Sequence, residues 1–130
     1  MPETETTLTA KRPTPGRSAP GFARRYPGHA AAYRTLQLGR LLDDEAPNFL
    51  RKNLGWSYHA PCAGHDAIQL ALGATFRPGT DHLFPYYRDL VTVLAAGLMP
   101  FEIVLNGLSR ADDPASGGRH MSNHFAKPEL

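Results

Sequence analysis

Apolar residues recur at helical spacing through most of this chain and then stop. Tyr33, Leu36, Leu38, Leu41 and Leu42, continued by Phe49, Leu50 and Leu54, predict helix over residues 29–54. Pro47 falls inside that stretch and predicts a break or kink at residues 44–46, or the first turn of a second helix. Gly55 predicts the C-terminal stop. Residues 56–64 read as a loop. A second helix is predicted over residues 66–76, with Ala67, Leu70, Ala71 and Ala74 on one face. Pro78 and Gly79 mark a turn. Residues 82–86 are short and apolar and predict a buried strand running into Tyr86, Tyr87 and Arg88. A third helix follows over residues 89–98, carrying Leu90, Val91, Val93, Leu94 and Leu98. Pro100 suits the first position of a fourth, over residues 101–108, with Ile103, Val104 and Leu105 apolar. From Ser109 the chain is polar and glycine-rich without periodicity. A loop of about 20 residues is uncommon in a compact domain unless it is functional or ordered by a partner.

This pattern predicts an α/β fold, mostly helical, with one visible strand. A single strand cannot make a sheet, so its neighbours are expected on another segment or another chain. The apolar helices would leave exposed patches in an isolated unit, which usually marks an interface. The chain has 130 residues and room for at most one domain. Residues 1–27 hold Pro2, Pro13, Pro15, Pro20 and Pro27 with few apolar positions and read as a disordered, basic arm. Residues 28–130 carry the fold. The net charge is +2, with no strong global field. Nucleic-acid binding through the arm is the weakest of the readings, because its five positive charges are spread out and accompanied by Glu3 and Glu5. Cys62 is the only cysteine, which excludes an internal disulfide and a cysteine-rich zinc site and fits a reducing, cytoplasmic setting. No run of about 18 apolar residues suggests a membrane span, and the N-terminus lacks an apolar signal segment.

The chemistry concentrates in two stretches, around Tyr87-Arg88 and over residues 116–125. A strand that feeds a helix N-terminus offers backbone N–H groups and partial positive charge, and an arginine there favours a phosphate. The bland alternative is an arginine snorkelling from a helix start beside a core tyrosine. His120 and His124 are four apart, but Met121 stands where a metalloprotease helix would carry glutamate, and Gly117-Gly118 argues against helix. His124 reads better as a loop histidine near a site, and Arg119 as a loop residue. Cys62 reads as a small buried residue. Asp66 and Asp89 sit in first turns, where a carboxylate is favourable without any further role. No catalytic base or nucleophile is visible.

Several stretches, in order, resemble the alpha subunit of the thiamine-diphosphate-dependent 2-oxo-acid dehydrogenases, the decarboxylating first component of those complexes. Ala60-Pro61-Cys62-Ala63-Gly64-His65-Asp66-Ala67, with Gln69, is similar to the family's Ala-Pro-x-x-Gly-His-Glu-Ala-x-Gln segment. Arg77-Pro78-Gly79-Thr80-Asp81 resembles its turn before the first strand. Tyr87-Arg88 matches its diphosphate-holding pair, and Gly118-Arg119-His120-Met121-Ser122-Asn123-His124 its Gly-Arg-Gln-Met-Pro-x-His stretch, with His120 and Ser122 departing from Gln and Pro. The resemblance covers residues 29–126 and is closer to the branched-chain (2-oxoisovalerate) than to the pyruvate type. It implies the N-terminal portion of a thiamin-diphosphate-binding fold in a heterotetramer. Its partners would be a beta subunit and a lipoyl-bearing acyltransferase, with no nucleic acid and no membrane. The implied reaction is oxidative decarboxylation of a branched-chain 2-oxo acid with acyl transfer to a lipoyl group. It implies cofactor binding by Tyr87, Arg88 and Tyr86, and places Phe84 and His124 near the substrate pocket. The magnesium motif Gly-Asp-Gly…Asn is not reached before Leu130, so the magnesium ligands are expected outside this chain. The 130 residues alone are then expected to be an inactive fragment. The rival reading is a truncated, non-catalytic paralogue that keeps its helices as a subunit-interaction module.

Overall fold

The stretch Leu90–Ala96 has little reason to be a helix by itself. It is seven residues long and its centre is Val91, Thr92 and Val93, all stiff at χ1. It is helical because it is enclosed: Leu90, Val91, Thr92, Val93 and Ala96 are all buried. A computed structural model describes residues 27–128. Four helices lie among them: α1 (Pro27–Arg51), α2 (Asp66–Thr75), α3 (Leu90–Ala96) and α4 (Pro100–Gly107). α1, α2 and α3 pack on one another. The arm read over residues 1–27 lies outside the described residues except for Pro27, which already belongs to α1.

Close approach to α3 is made through glycine from both sides. A Cβ on Gly73 of α2 would stand 2.4 Å from the Thr92 carbonyl oxygen, and one on Gly39 of α1 would stand 2.6 Å from Val91 Cγ2. Below α3 the core holds Cys62, Leu90, Val93, Leu98, Ile103 and Phe125, with Leu42, Leu83 and Leu94 against it. Burial, and then the charge of Asp43, push the Cys62 thiol up to about 12, so it stays protonated and inert. The Cys62 N–H donates to Asp43 Oδ2 at 2.9 Å, which fixes the loop between α1 and α2.

Three sequence expectations change. α1 runs through Pro47 without ending. Proline removes one helical donor, but the buried face spans it, with Asp43 and Ala46 before and Phe49 tilted on Trp56 at 5.3 Å after. The helix ends where Asn53 turns left-handed (φ 54), not at Gly55. α2 does not bury its alanine face. Gln69 and Gly73 are buried instead, while Ala67, Leu70, Ala71 and Ala74 line a shallow groove with Gly28, Ala31, Ala32 and Thr35 of α1.

The expected strand is also absent. No strand is present among the described residues, so the α/β expectation reduces to a mostly helical unit. Residues 82–86 are irregular, although their exposure still alternates, with His82, Phe84 and Tyr86 outward and Leu83 and Pro85 less so. A ladder needs a partner strand, and here the Tyr86 N–H turns to the Asp89 carboxylate at 2.8 Å. No helix among the described residues is long and apolar enough to cross a membrane.

Alanine normally gains up to about 1 kcal/mol over glycine inside a helix. At Gly73 overpacking against a backbone carbonyl wins, so Gly73→Ala is expected to cost about 1–3 kcal/mol. Gly28→Ala meets nothing within 4 Å and is expected to be neutral or stabilising. Urea midpoints of the two variants check the contrast; equal midpoints would refute the close-contact account.

Candidate functional site: the Tyr86–Arg88 turn

Tyr86, Tyr87 and Arg88 form a turn closed by Asp89, whose N–H donates to the Tyr86 carbonyl at 2.8 Å. A buried side chain from α2 holds this turn against α3. Gln69 Nε2 donates to the Arg88 carbonyl at 2.7 Å, and Gln69 Oε1 accepts from the Val91 N–H at 3.1 Å. The amide therefore clips both sides of the turn-to-helix junction. The same clip changes the expected phosphate site. The Val91 N–H, expected to be free at the helix start, is occupied by Gln69, and the Asp89 carboxylate accepts the Tyr86 N–H. The side chains of the turn are then the first candidate donors to an anion.

Those side chains are gathered. The Arg88 guanidinium carbon lies 4.9 Å from the Tyr87 ring centroid and 5.8 Å from that of Tyr86. Arg88 Nη1 donates to the Tyr86 hydroxyl oxygen at 3.3 Å. The Tyr86 and Tyr87 rings are 3.9 Å apart. Tyr58, from the loop before α2, meets Tyr87 edge-on at 5.7 Å, and His124 stacks on Tyr87 at 6.3 Å. Among the described residues no carboxylate pairs with Arg88, whereas Arg40 is paired with Asp66 and Arg77 with Asp81. Hydrogen bonds from the Tyr86 and then the Tyr58 hydroxyl, together with the Arg88 charge, hold the Tyr87 hydroxyl below its usual pKa. The hydrogen bond to Tyr87 raises those of Tyr58 and Tyr86.

The long loop after α4 is ordered by two buried polar residues. Asp113 accepts from the Ala115 N–H at 3.2 Å, the Ser116 N–H at 3.1 Å, the Ser116 hydroxyl at 2.9 Å and the Gly118 N–H at 3.3 Å. Ser116 Oγ in turn accepts the Arg119 and His120 N–H groups. Asn106 of α4 donates to the His124 carbonyl and accepts the Asn123 N–H at 2.7 Å. These bonds carry His124 to Tyr87. His124 Nδ1 lies 3.2 Å from the Met121 and Ser122 carbonyls, which only accept. Nδ1 is therefore the protonated nitrogen of the neutral ring.

The turn thus brings together Tyr86, Tyr87, Arg88 and His124. Phe84 stands apart, 92% exposed, on a neighbouring groove of about 290 Å³ shared with Leu83, Val93 and Lys127. His124, with Arg119 and His120, lines the next groove. No group of three or more His, Cys, Asp or Glu side chains among the described residues is placed to hold a metal ion. Sequence reasoning missed Tyr58, Asn106 and Asp113, and it gave Gln69 no role. Only Gln69 carried a signal, as the one large polar residue inside α2.

Residues 33–129 match the model of the dehydrogenase E1 component family, which is most of the chain. The chain belongs to this family. It is 35% identical over 95 residues to the 2-oxoisovalerate dehydrogenase subunit alpha of Bacillus subtilis, covering 73% of this chain and 28% of that protein. It is 37% identical over 68 residues to the 3-methyl-2-oxobutanoate dehydrogenase subunit alpha of Mycobacterium tuberculosis, covering 52% of this chain and 18% of that one. The chain thus spans well under a third of the length of these relatives. No solved structure matches it significantly. E1 components depend on thiamine diphosphate. The donor set fits the phosphate end of that cofactor: Arg88, with no carboxylate partner among the described residues, beside the Tyr86 hydroxyl and the Tyr87 ring.

Gln69→Leu leaves the Arg88 carbonyl and the Val91 N–H without their partner, each at about 1–3 kcal/mol if it stays buried. A lowered melting temperature is the expected result. A second expectation concerns acid. Burial works against the Asp113 charge, but the Ser116 hydroxyl, the Ala115 and Gly118 N–H groups and the Asn106 amide outweigh it and lower its pKa. Stability from a depressed carboxylate is present above the unfolded value near 3.8 and is lost as pH falls through the folded one. Asp113→Asn should therefore flatten the fall in stability below about pH 4. An unchanged acid limb in urea titrations would remove Asp113 from that role.

Proposed function

We propose that this chain contributes one wall of the thiamine diphosphate site in the decarboxylating component of a 2-oxo-acid dehydrogenase complex. The single observation that carries the reading is Arg88. It has no carboxylate partner among the described residues, its backbone is held by Gln69, and it bonds the Tyr86 hydroxyl and lies over the Tyr87 ring, at the position that matches the family's diphosphate-holding pair. Arg88 supplies a fixed positive charge for a phosphate, and Tyr87 and Tyr86 supply hydroxyl donors. When bound, the cofactor supplies the electron sink that lets a 2-oxo acid lose carbon dioxide. The residues described here bind and orient; none is placed as an acid or base for that step. The relatives' names support a branched-chain substrate, and acyl transfer to a lipoyl group follows on the same reading. Phe84 and His124, on adjoining grooves, would face the substrate end.

A beta subunit and a lipoyl-bearing acyltransferase are the partners this reading requires. The magnesium ligands would come from outside this segment. Ile68 and Leu72 on α2 and Phe101 on α4 are more than half exposed, which also favours the second reading, a subunit-interaction module without chemistry. Cofactor affinity separates the two. Thiamine diphosphate binding, followed by quenching of the single tryptophan, Trp56, should weaken about 10- to 150-fold in Arg88→Ala, as expected for a charged hydrogen bond of about 1.5–3 kcal/mol. Binding that is absent, or indifferent to Arg88, would leave the interaction module as the better account.

A further inference from the structure

His124 closes a turn on itself. Its backbone N–H donates to the Met121 carbonyl at 3.4 Å, and its Nδ1 lies 3.2 Å from both the Met121 and the Ser122 carbonyl oxygens. Asn123, just before it, is left-handed (φ 65), a conformation that asparagine tolerates better than most side chains. The buried amide of Asn106, on α4, brackets these two residues. Its Oδ1 accepts the Asn123 N–H at 2.7 Å and its Nδ2 donates to the His124 carbonyl at 3.4 Å. The His124 ring itself is exposed. It stacks on Tyr87 at 6.3 Å and 27°, and it lines a groove with Arg119 and His120 that no carboxylate among the described residues lines. Among the described residues its Nε2 makes no hydrogen bond.

We propose that Asn106 is a positioning residue for His124, and that His124 meets a phosphate oxygen beside the Tyr86–Arg88 turn through Nε2 alone. Two carbonyls at Nδ1 demand an N–H there, whether the ring is neutral or charged. Nε2 is then the one ring nitrogen left to share a proton with a ligand. A single proton lies between Nε2 and the phosphate oxygen, carried in by the ring or by the phosphate. Asn106 does not touch the ligand. It fixes residues 123 and 124, so that the ring reaches its two carbonyls and stays on Tyr87. The inference rests on the phosphate reading of Arg88 given above, and adds to it a ligand contact from the terminal loop and its support on α4.

The test uses the full chain, with inorganic pyrophosphate as the probe in calorimetry and with nitrogen NMR of labelled imidazoles, His124 being assigned through His124→Phe. In the unsubstituted protein Nδ1 of His124 should be the protonated nitrogen, and pyrophosphate should move the Nε2 resonance while Nδ1 keeps its proton. His124→Phe keeps a ring on Tyr87 and should weaken pyrophosphate binding about 2- to 10-fold, the effect of one hydrogen bond. Asn106→Ala should let the other tautomer appear, which a merely structural role would not do, and should weaken binding by a similar factor. The milder Asn106→Asp keeps the acceptor for Asn123, removes the donor to the His124 carbonyl, and should shift the tautomer the same way. In a His124→Phe background Asn106→Ala should have no further effect on binding. An unprotonated Nδ1 in the unsubstituted protein overturns the inference, and so does an equal loss from Asn106→Ala with and without His124. If Arg88→Ala weakens binding but Nε2 does not respond to pyrophosphate, the inference is overturned and the phosphate reading stands. Pyrophosphate binding that is absent or untouched by Arg88→Ala overturns both together.

Discussion

The side-chain amide of Gln69 is the polar joint on which the site depends. It is buried where α2 meets α3, and it satisfies a carbonyl of the Tyr86–Arg88 turn and an N–H of α3 with one planar group. Both backbone groups lie in a region largely closed to water, where an unpaired polar group is costly. The close approach that makes this reach possible is set one turn later by Gly73, which lets α2 press against the Thr92 carbonyl. Packing and site geometry are therefore the same contact seen from two sides. Arg88 points where it does because two helices fit.

The helices were legible because apolar spacing survives in the sequence wherever burial is one-sided. All four appear close to their expected places. What failed was the assignment of faces. α2 carries alanines on one side and Gln69 with Gly73 on another, and hydrophobicity alone selects the alanines. The structure buries the glycine because steric room, not apolar area, limits that contact, and buries the glutamine because its amide finds two partners. Pro47 was overvalued for a similar reason. A local backbone penalty of about 3 kcal/mol is absorbed when residues on both sides are anchored. The segment at residues 82–86 kept the alternation of a strand, but alternation describes side-chain facing and cannot supply a second strand.

For the candidate site, resemblance singled out Tyr86, Tyr87, Arg88 and His124, which the structure gathers, but not Tyr58. Tyr58 stands 29 positions before Tyr87 in the sequence, and nothing in its own loop marks it. The long terminal loop read as irregular and is irregular. Its order comes from Asp113 and Asn106, each satisfying several backbone groups at once, and such networks leave no periodic trace. The family membership fits this division. The motifs mark the Tyr86–Arg88 turn, the loop that meets it and Gln69, whereas Asn106 and Asp113 lie between the motifs.

Cys62 has a practical consequence. Its thiol lies at 1% exposure in the core beneath α3, its pKa is pushed up to about 12, and no second thiol exists in the chain. A thiol-specific reagent therefore finds nothing to react with while the core is closed. Labelling must wait for α3 and its neighbours to separate, so its rate is a native clock for core opening. The chain carries its own reporter of whether the scaffold beneath Arg88 is shut.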